Sequence, residues 1–232
     1  MLKGNAERDV RPMSHEGDAL RVGFCVSGAG SLFRAAAVHA LALRIKPALL
    51  ILDHNASSDL EGFCAARDIP WTRMSYQNRE AADSELTELL IAADLGLICL
   101  TFDKLLPPAL VNHYMGRIIN VHMGLLPAFK GFRAIRQALQ ANVRFLGATI
   151  HEVDTEMDNG PIIAQCIQGI RENESEESCG KRLYNSLRLM YLQVIAWYAQ
   201  GRVYKDSTGA VRVKDARYGE FPISPSIEAS FP

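Results

Sequence analysis

Four short apolar runs recur along the first half of the 232-residue chain: LRVGFCVS (20–27), PALLILD (47–53), LGLICLTF (95–102) and GRIINVH (116–122). They are nearly continuous rather than alternating, the pattern of strands covered on both faces, and such strands belong to parallel sheets flanked by helices. The intervening segments fit that demand. The alanine-rich stretch after GAGS reads as a helix to about residue 45, SDLEGFCAARD (58–68) as an amphipathic helix, and NREAADSELTELLIAAD (78–94) carries apolar residues at helical spacing. IPWTRMS (69–75) reads as a short extended piece, and Pro107-Pro108 opens a further helix. This alternation predicts an α/β fold built on an open, mostly parallel twisted sheet with right-handed crossovers.

The second half changes character. FRAIRQALQ (132–140) is helical, and RFLGATIHEVD (144–154) and GPIIAQCIQGI (160–170) read as a late antiparallel hairpin joined by Glu-Met-Asp-Asn-Gly. The longest helix spans 175–201, opening on Ser and Glu and stopping at Gly201. RVYKDSTGAVRV (202–213) suggests a closing hairpin, and the Pro-rich EFPISPSIEASFP an extended tail. The expected organisation is a flexible polar segment at 1–19, in which Met13 is an alternative start, one folded domain at 20–205, and a hairpin with tail at 206–232.

Composition sets limits on function. Lys and Arg number 25 against 26 Asp and Glu, a net charge of −1, which argues against a nucleic-acid surface. No run approaches the roughly 20 apolar residues of a membrane span, and the start lacks a secretory pattern. Cys25, Cys64, Cys99, Cys166 and Cys179 are scattered without CxxC spacing, as expected of small buried hydrophobes in a reducing, cytoplasmic setting. No histidine pair has a metal-binding spacing, and Ser27 and Ser31 lack the GxSxG context of a nucleophile elbow. Neither a metal site nor a nucleophilic triad is expected.

Three stretches are candidates for chemistry. In SGAGS (27–31), Gly28, Ala29, Gly30 and Ser31 sit between a strand and a helix start, where free N–H groups suit a phosphate. A tight turn that binds nothing explains them equally well. Phe33 opposes a dinucleotide fingerprint, although Asp53 stands where a ribose-binding acid would. Asn120 and His122 lie two apart, so a strand projects both to one face, at the carboxyl end where ligands bind in open α/β sheets. They could hold an oxyanion or move a proton; a loop carbonyl satisfying the His is the plain alternative. Asp158 belongs to turn chemistry unless it reaches His122, which spacing cannot decide. His151, inside an alternating strand, reads as structural.

The stretch GRIINVHMGLLPAFKG, then QAL, then LGATIHEVDTEMDNGPIIAQ, resembles the signature of the folate-dependent formyltransferases, most nearly their phosphoribosylglycinamide branch. The likeness runs from about residue 21 to 205. It implies a Rossmann-like formyltransferase fold and a catalytic Asn120, His122 and Asp158. It further implies direct attack of an acceptor amine on the formyl carbon of 10-formyltetrahydrofolate, with no metal. Asn120 and protonated His122 would hold the oxyanion, and Asp158 would keep His122 charged and oriented. The folate would lie between Phe102, Lys104, Leu105 and Leu106 on one loop and Val153, Asp154 and Glu156 on another, with Gly28–Ser31 toward the acceptor. The expected partners are thus the folate co-substrate and a small-molecule amine; a homodimer is left open.

This chain departs from the branch pattern at its acceptor end. GAGSL replaces the usual GNGSN, Met123-Gly124 replaces Pro-Ser, and Leu187 falls where a glutamate grips the glycinamide. The acceptor is therefore glycinamide ribonucleotide or another primary amine. The rival readings are a 10-formyltetrahydrofolate hydrolase, a nicotinamide-binding protein and a catalytically silent binding protein of the same fold.

Overall fold

In the computed structural model, which describes residues 19–219, 222–225 and 228, the four apolar runs become neighbouring strands. Residues 1–18 of the expected loose segment at 1–19, and most of the Pro-rich end, lie outside the described residues. The strands are β1 Leu20–Val26, β2 Ile45–Leu52, β3 Trp71–Arg73, β4 Leu97–Thr101, β5 Ile118–His122, β6 Phe145–Glu152, β7 Ile162–Gly169, β8 Val203–Lys205, β9 Val211–Val213 and β10 Ile223–Ser224. The helices are α1 Ser31–Val38, α2 Ala40–Leu43, α3 Asp59–Ala65, α4 Arg79–Ala92, α5 Pro108–His113, α6 Ala134–Gln140 and α7 Glu176–Ala199.

The main sheet has the order β10-β7-β6-β5-β4-β1-β2-β3. From β3 to β5 every pairing is parallel; β6, β7 and β10 continue antiparallel. The expected mostly parallel sheet with a late hairpin and a long last helix is what forms. Strand periodicity then divides the core in two. On β1, Val22, Phe24 and Val26 face a cluster shared with α1 and α7, while Cys25 faces one shared with α4 and α5. On β4, Leu97 and Cys99 join the first cluster, Ile98 and Leu100 the second. Both faces are dry, which is why these runs carry no polar alternation.

Helix ends follow local chemistry. The Asn78 side chain accepts from the Ala81 N–H at the start of α4, and Ser175 accepts from Ser178 N–H at the start of α7. The expected alanine-rich helix is shorter and broken. It kinks at His39 between α1 and α2 and stops at Arg44, in the left-handed region at φ 57, so that Ile45 can begin β2. At the other end, β8 and β9 form a separate hairpin whose turn contains the expected 205/206 boundary, and Ile223–Ser224 adds an edge strand to β7. The Arg202 guanidinium holds Glu228 (Nη2 to Oε1, 2.9 Å), and the Glu228 N–H donates to Gln193 on α7 at 2.9 Å.

Leu50 is fully buried in β2 between two parallel neighbours. Leu50→Ala is expected to lower the unfolding free energy by about 2–5 kcal/mol in urea titration; a loss well under ~1 kcal/mol would mean that this layer can collapse around the missing side chain.

Candidate active site

The carboxyl ends of β1, β4 and β5 open onto one cavity of about 580 Å³, within the usual range for small-molecule sites. Asn120 and His122 close the end of β5, projecting to the same face as Ile118, whereas Ile119 and Val121 pack toward the α1/α7 side. The antiparallel β6 sets what they meet. Its register places His151 opposite Asn120 and Thr149 opposite His122.

Asp158 arrives from the loop after β6, at φ 50, a left-handed conformation that Asp tolerates better than most residues. Its Oδ2 accepts from the Gly131 N–H at 2.8 Å and lies 3.2 Å from His122 Nδ1; its Oδ1 accepts from Asn120 Nδ2 at 3.4 Å. The structure therefore brings together the three residues whose contact spacing could not establish. His122 Nε2 lies 2.8 Å from the Phe129 carbonyl. Both ring nitrogens thus face acceptors, an arrangement fully satisfied when each carries a hydrogen. The loop-carbonyl partner and the carboxylate partner are both present on one ring.

His151, which strand periodicity reads as structural, is part of the site. Its Nδ1 lies 2.8 Å from the Glu152 carbonyl and its Nε2 3.2 Å from Asn120 Nδ2. Burial lowers its pKa, favouring the neutral ring, although the Glu152 carbonyl and Asp158 act the other way. A neutral ring with hydrogen on Nδ1 leaves Nε2 as an acceptor, which fixes the Asn120 amide with its nitrogen toward His151 and Asp158. Only the β5–β6 register reveals this role. Thr149, wholly buried, donates to the Gly124 carbonyl at 2.7 Å and accepts from the Leu126 N–H and Gln165 Nε2, pinning the loop that follows β5.

Gly124 explains part of the Met123-Gly124 departure. A Cβ there would stand 2.7 Å from His122 Nε2 and 3.0 Å from Ala134 Cβ. The missing side chain is the space in which the His122 ring sits.

All seven expected folate-side residues, Phe102, Lys104, Leu105, Leu106, Val153, Asp154 and Glu156, line the cavity. Lys104 is not free there: its Nζ lies 3.4 Å from the fully buried Asp53 and also contacts Asp103. Arg79, with no signal in the sequence, joins this wall and donates to the Leu105 carbonyl at 2.8 Å. The Gly-rich turn is placed differently. Its flanks Ser27 and Leu32 are on the wall, but Gly28, Ala29, Gly30 and Ser31 are not. Gly30 has φ 65, and a Cβ on it would stand 2.7 Å from Leu60, so helix–turn packing accounts for it. Asp53 accepts from Ser27 Oγ at 2.8 Å and Asn55 N–H at 2.9 Å, and so is committed to holding this turn rather than a ribose.

All five cysteines are free and buried; burial pushes the Cys25 thiol up to about 12, so it is no nucleophile at neutral pH. Among the described residues no cluster of three or more His, Cys, Asp or Glu is placed to hold a metal, and no helix is long and apolar enough to cross a membrane.

Two outcomes follow. Gly124→Ala should displace the His122 ring and cost about 1–3 kcal/mol by overpacking, with a matching loss of turnover; an unchanged melting temperature and rate would place the ring elsewhere. For His151 the native pKa lies below the unfolded value of about 6.5, so on acidification the unfolded chain takes up a proton that the native one does not, and stability falls. The melting temperature below about pH 6.5 should therefore drop more steeply in the native protein than in His151→Gln; parallel curves would contradict the neutral buried ring.

Comparison with known proteins agrees with this geometry. The formyl transferase family profile matches residues 20–195. The Escherichia coli phosphoribosylglycinamide formyltransferase is 35% identical over 130 residues, 56% of this chain and 61% of that protein, so the chain spans under two thirds of this relative's length in the matched region. The solved glycinamide ribonucleotide transformylase 1 of Symbiobacterium toebii is 30% identical with TM-score 0.78, covering 86% of this chain and 96% of that one. A formyltetrahydrofolate deformylase of Pseudomonas syringae, 24% identical with TM-score 0.79 over 86% of this chain and 67% of its own, shares the fold. By its profile match, its fold and its carboxyl-edge site, this chain belongs to the formyl transferase family.

Proposed function

We propose that this chain transfers the formyl group of 10-formyltetrahydrofolate to a primary amine, either glycinamide ribonucleotide or another small-molecule amine, and acts in one-carbon metabolism of the purine-biosynthetic type. The observation that carries this reading is the Asp158 carboxylate touching both His122 and Asn120 inside a cavity walled by the 102–106 and 153–158 loops. The printed activities of the relatives support it. Five buried free thiols fit a cytoplasmic setting.

The amine nitrogen attacks the formyl carbon, a C–N bond forms, and the carbonyl electron pair moves onto oxygen. Collapse restores the carbonyl and breaks the bond to N10 of the folate. The amine loses a proton and N10 gains one. Asn120 and His122 bring N–H donors to the cavity wall. Their hydrogens now rest on internal acceptors, Asp158, His151 and the Phe129 carbonyl, and the oxyanion would draw on them at the moment its charge develops. Asp158 orients His122 through Nδ1 and balances its charge while the proton moves.

His122→Ala and Asp158→Asn should each cut amine-dependent turnover of 10-formyltetrahydrofolate by about 10²–10⁴-fold, with circular dichroism unchanged. Turnover within a few-fold of the native rate would remove both residues from the mechanism. Formate released at the same rate with and without amine would instead assign the site to hydrolysis.

A further inference from the structure

The cavity wall is divided by charge. Every charged side chain on it, apart from the catalytic residues, comes from Arg79 and the two loops expected to hold folate: Asp103, Lys104, Asp154 and Glu156. The wall contributed by the ends of β1 and β5, by α1 and by α7 carries none; besides Asn120 and His122 it consists of Ser27, Leu32, Val121, Met123, Tyr184 and Leu187. The two walls pack into opposite core clusters, Leu106 and Phe102 with one, Leu32, Met123 and Leu187 with the other. The catalytic residues stand between them at the sheet edge. A folate held by the charged loops leaves the second wall to the acceptor.

The Ser27 hydroxyl on this wall is already engaged: its Oγ donates to Asp53 at 2.8 Å and accepts from the Asp103 N–H at 3.1 Å. The Gly28 N–H donates to the Asn55 carbonyl at 3.2 Å. Two nearby cations are paired, Arg34 with Asp59 at 2.7 Å and Lys104 with Asp53 and Asp103. A phosphate approaching the Gly-rich turn would meet the buried Asp53 carboxylate behind Ser27.

Resting on the formyl-transfer reading above, we infer that the acceptor carries its primary amine on an uncharged, apolar body, and that Leu32, Met123, Tyr184 and Leu187 select it. The apolar body lies along these four side chains, continuous with the exposed Phe132 at the mouth, and points its amine at the formyl carbon beside Asn120 and His122.

The test measures formyl transfer from 10-formyltetrahydrofolate to hexylamine, 2-phenylethylamine and glycinamide ribonucleotide, by native protein, Leu187→Glu and Met123→Gln. The apolar amines should exceed glycinamide ribonucleotide in kcat/KM by about tenfold or more, and Leu187→Glu should reverse or erase that preference. Met123→Gln, at a half-buried position, should erode it in the same direction and keeps the test open if a charge at 187 prevents folding. Glycinamide ribonucleotide as the equal or better substrate, a preference untouched by the variants, or no stimulation by any amine would each overturn the inference. Melting-temperature shift with a folate analogue separates the two levels: binding of the analogue with transfer to glycinamide ribonucleotide sinks only the acceptor assignment, whereas absence of both binding and formyl loss sinks formyl transfer itself and the inference with it.

Discussion

The site depends on one register. β6 runs antiparallel to β5 with Asn120 against His151 and His122 against Thr149. A slip of one residue would turn His151 and Thr149 to the opposite face. It would leave the Asn120 amide without the ring nitrogen that fixes its orientation, and the 124–126 loop without its buried hydroxyl. The same hairpin delivers Asp158. The parallel half of the sheet supplies a rigid edge, and its first antiparallel strand returns the chain to that edge with a carboxylate. Register holds because Ala148 and Ile150 are buried on one face while His151 and Thr149 need polar partners on the other.

At this edge, polar groups are satisfied before any substrate arrives. Asp158 receives N–H groups from Gly131 and Asn120 and faces His122, and the second nitrogen of His122 is held by Phe129. Such a network is costly if half-made and orienting if complete. In the proposed transfer its donors would already stand in place when charge develops. In this chain the His122 ring occupies space that a Cβ at position 124 would enter.

The cavity lies across the sheet edge and touches both cores. One wall is charged and loop-built; the other is uncharged, built from α1, α7 and the ends of β1 and β5. The Gly-rich turn between them behaves as a structural joint. Gly30 gives α1 close approach to Leu60, and Asp53 ties Ser27, Asn55 and Lys104 into one polar cluster that links the turn to the 102–106 loop.

The order of strands and helices, the double-sided burial of β1, β2 and β4 and the late hairpin were legible in the sequence, because apolar runs and turn residues report burial and chain reversal locally. The same-face pairing of Asn120 and His122 was legible for the same reason: strand period is a local property. The contact of Asp158 with His122 was not legible from spacing and came only from the family resemblance; the inclusion of His151 and the commitment of Asp53 to the Gly-rich turn were not legible at all. Each joins residues tens of positions apart through register and loop path, which no short window of sequence encodes. The phosphate-site reading of Gly28–Ser31 was ambiguous at the level of residues because a glycine-rich βα turn has the same composition whether it cradles an anion or packs a helix. The tertiary structure set that turn off the cavity wall and placed Leu32 and Leu187 on it, since what a turn can bind is decided by the side chains that the rest of the fold brings beside it.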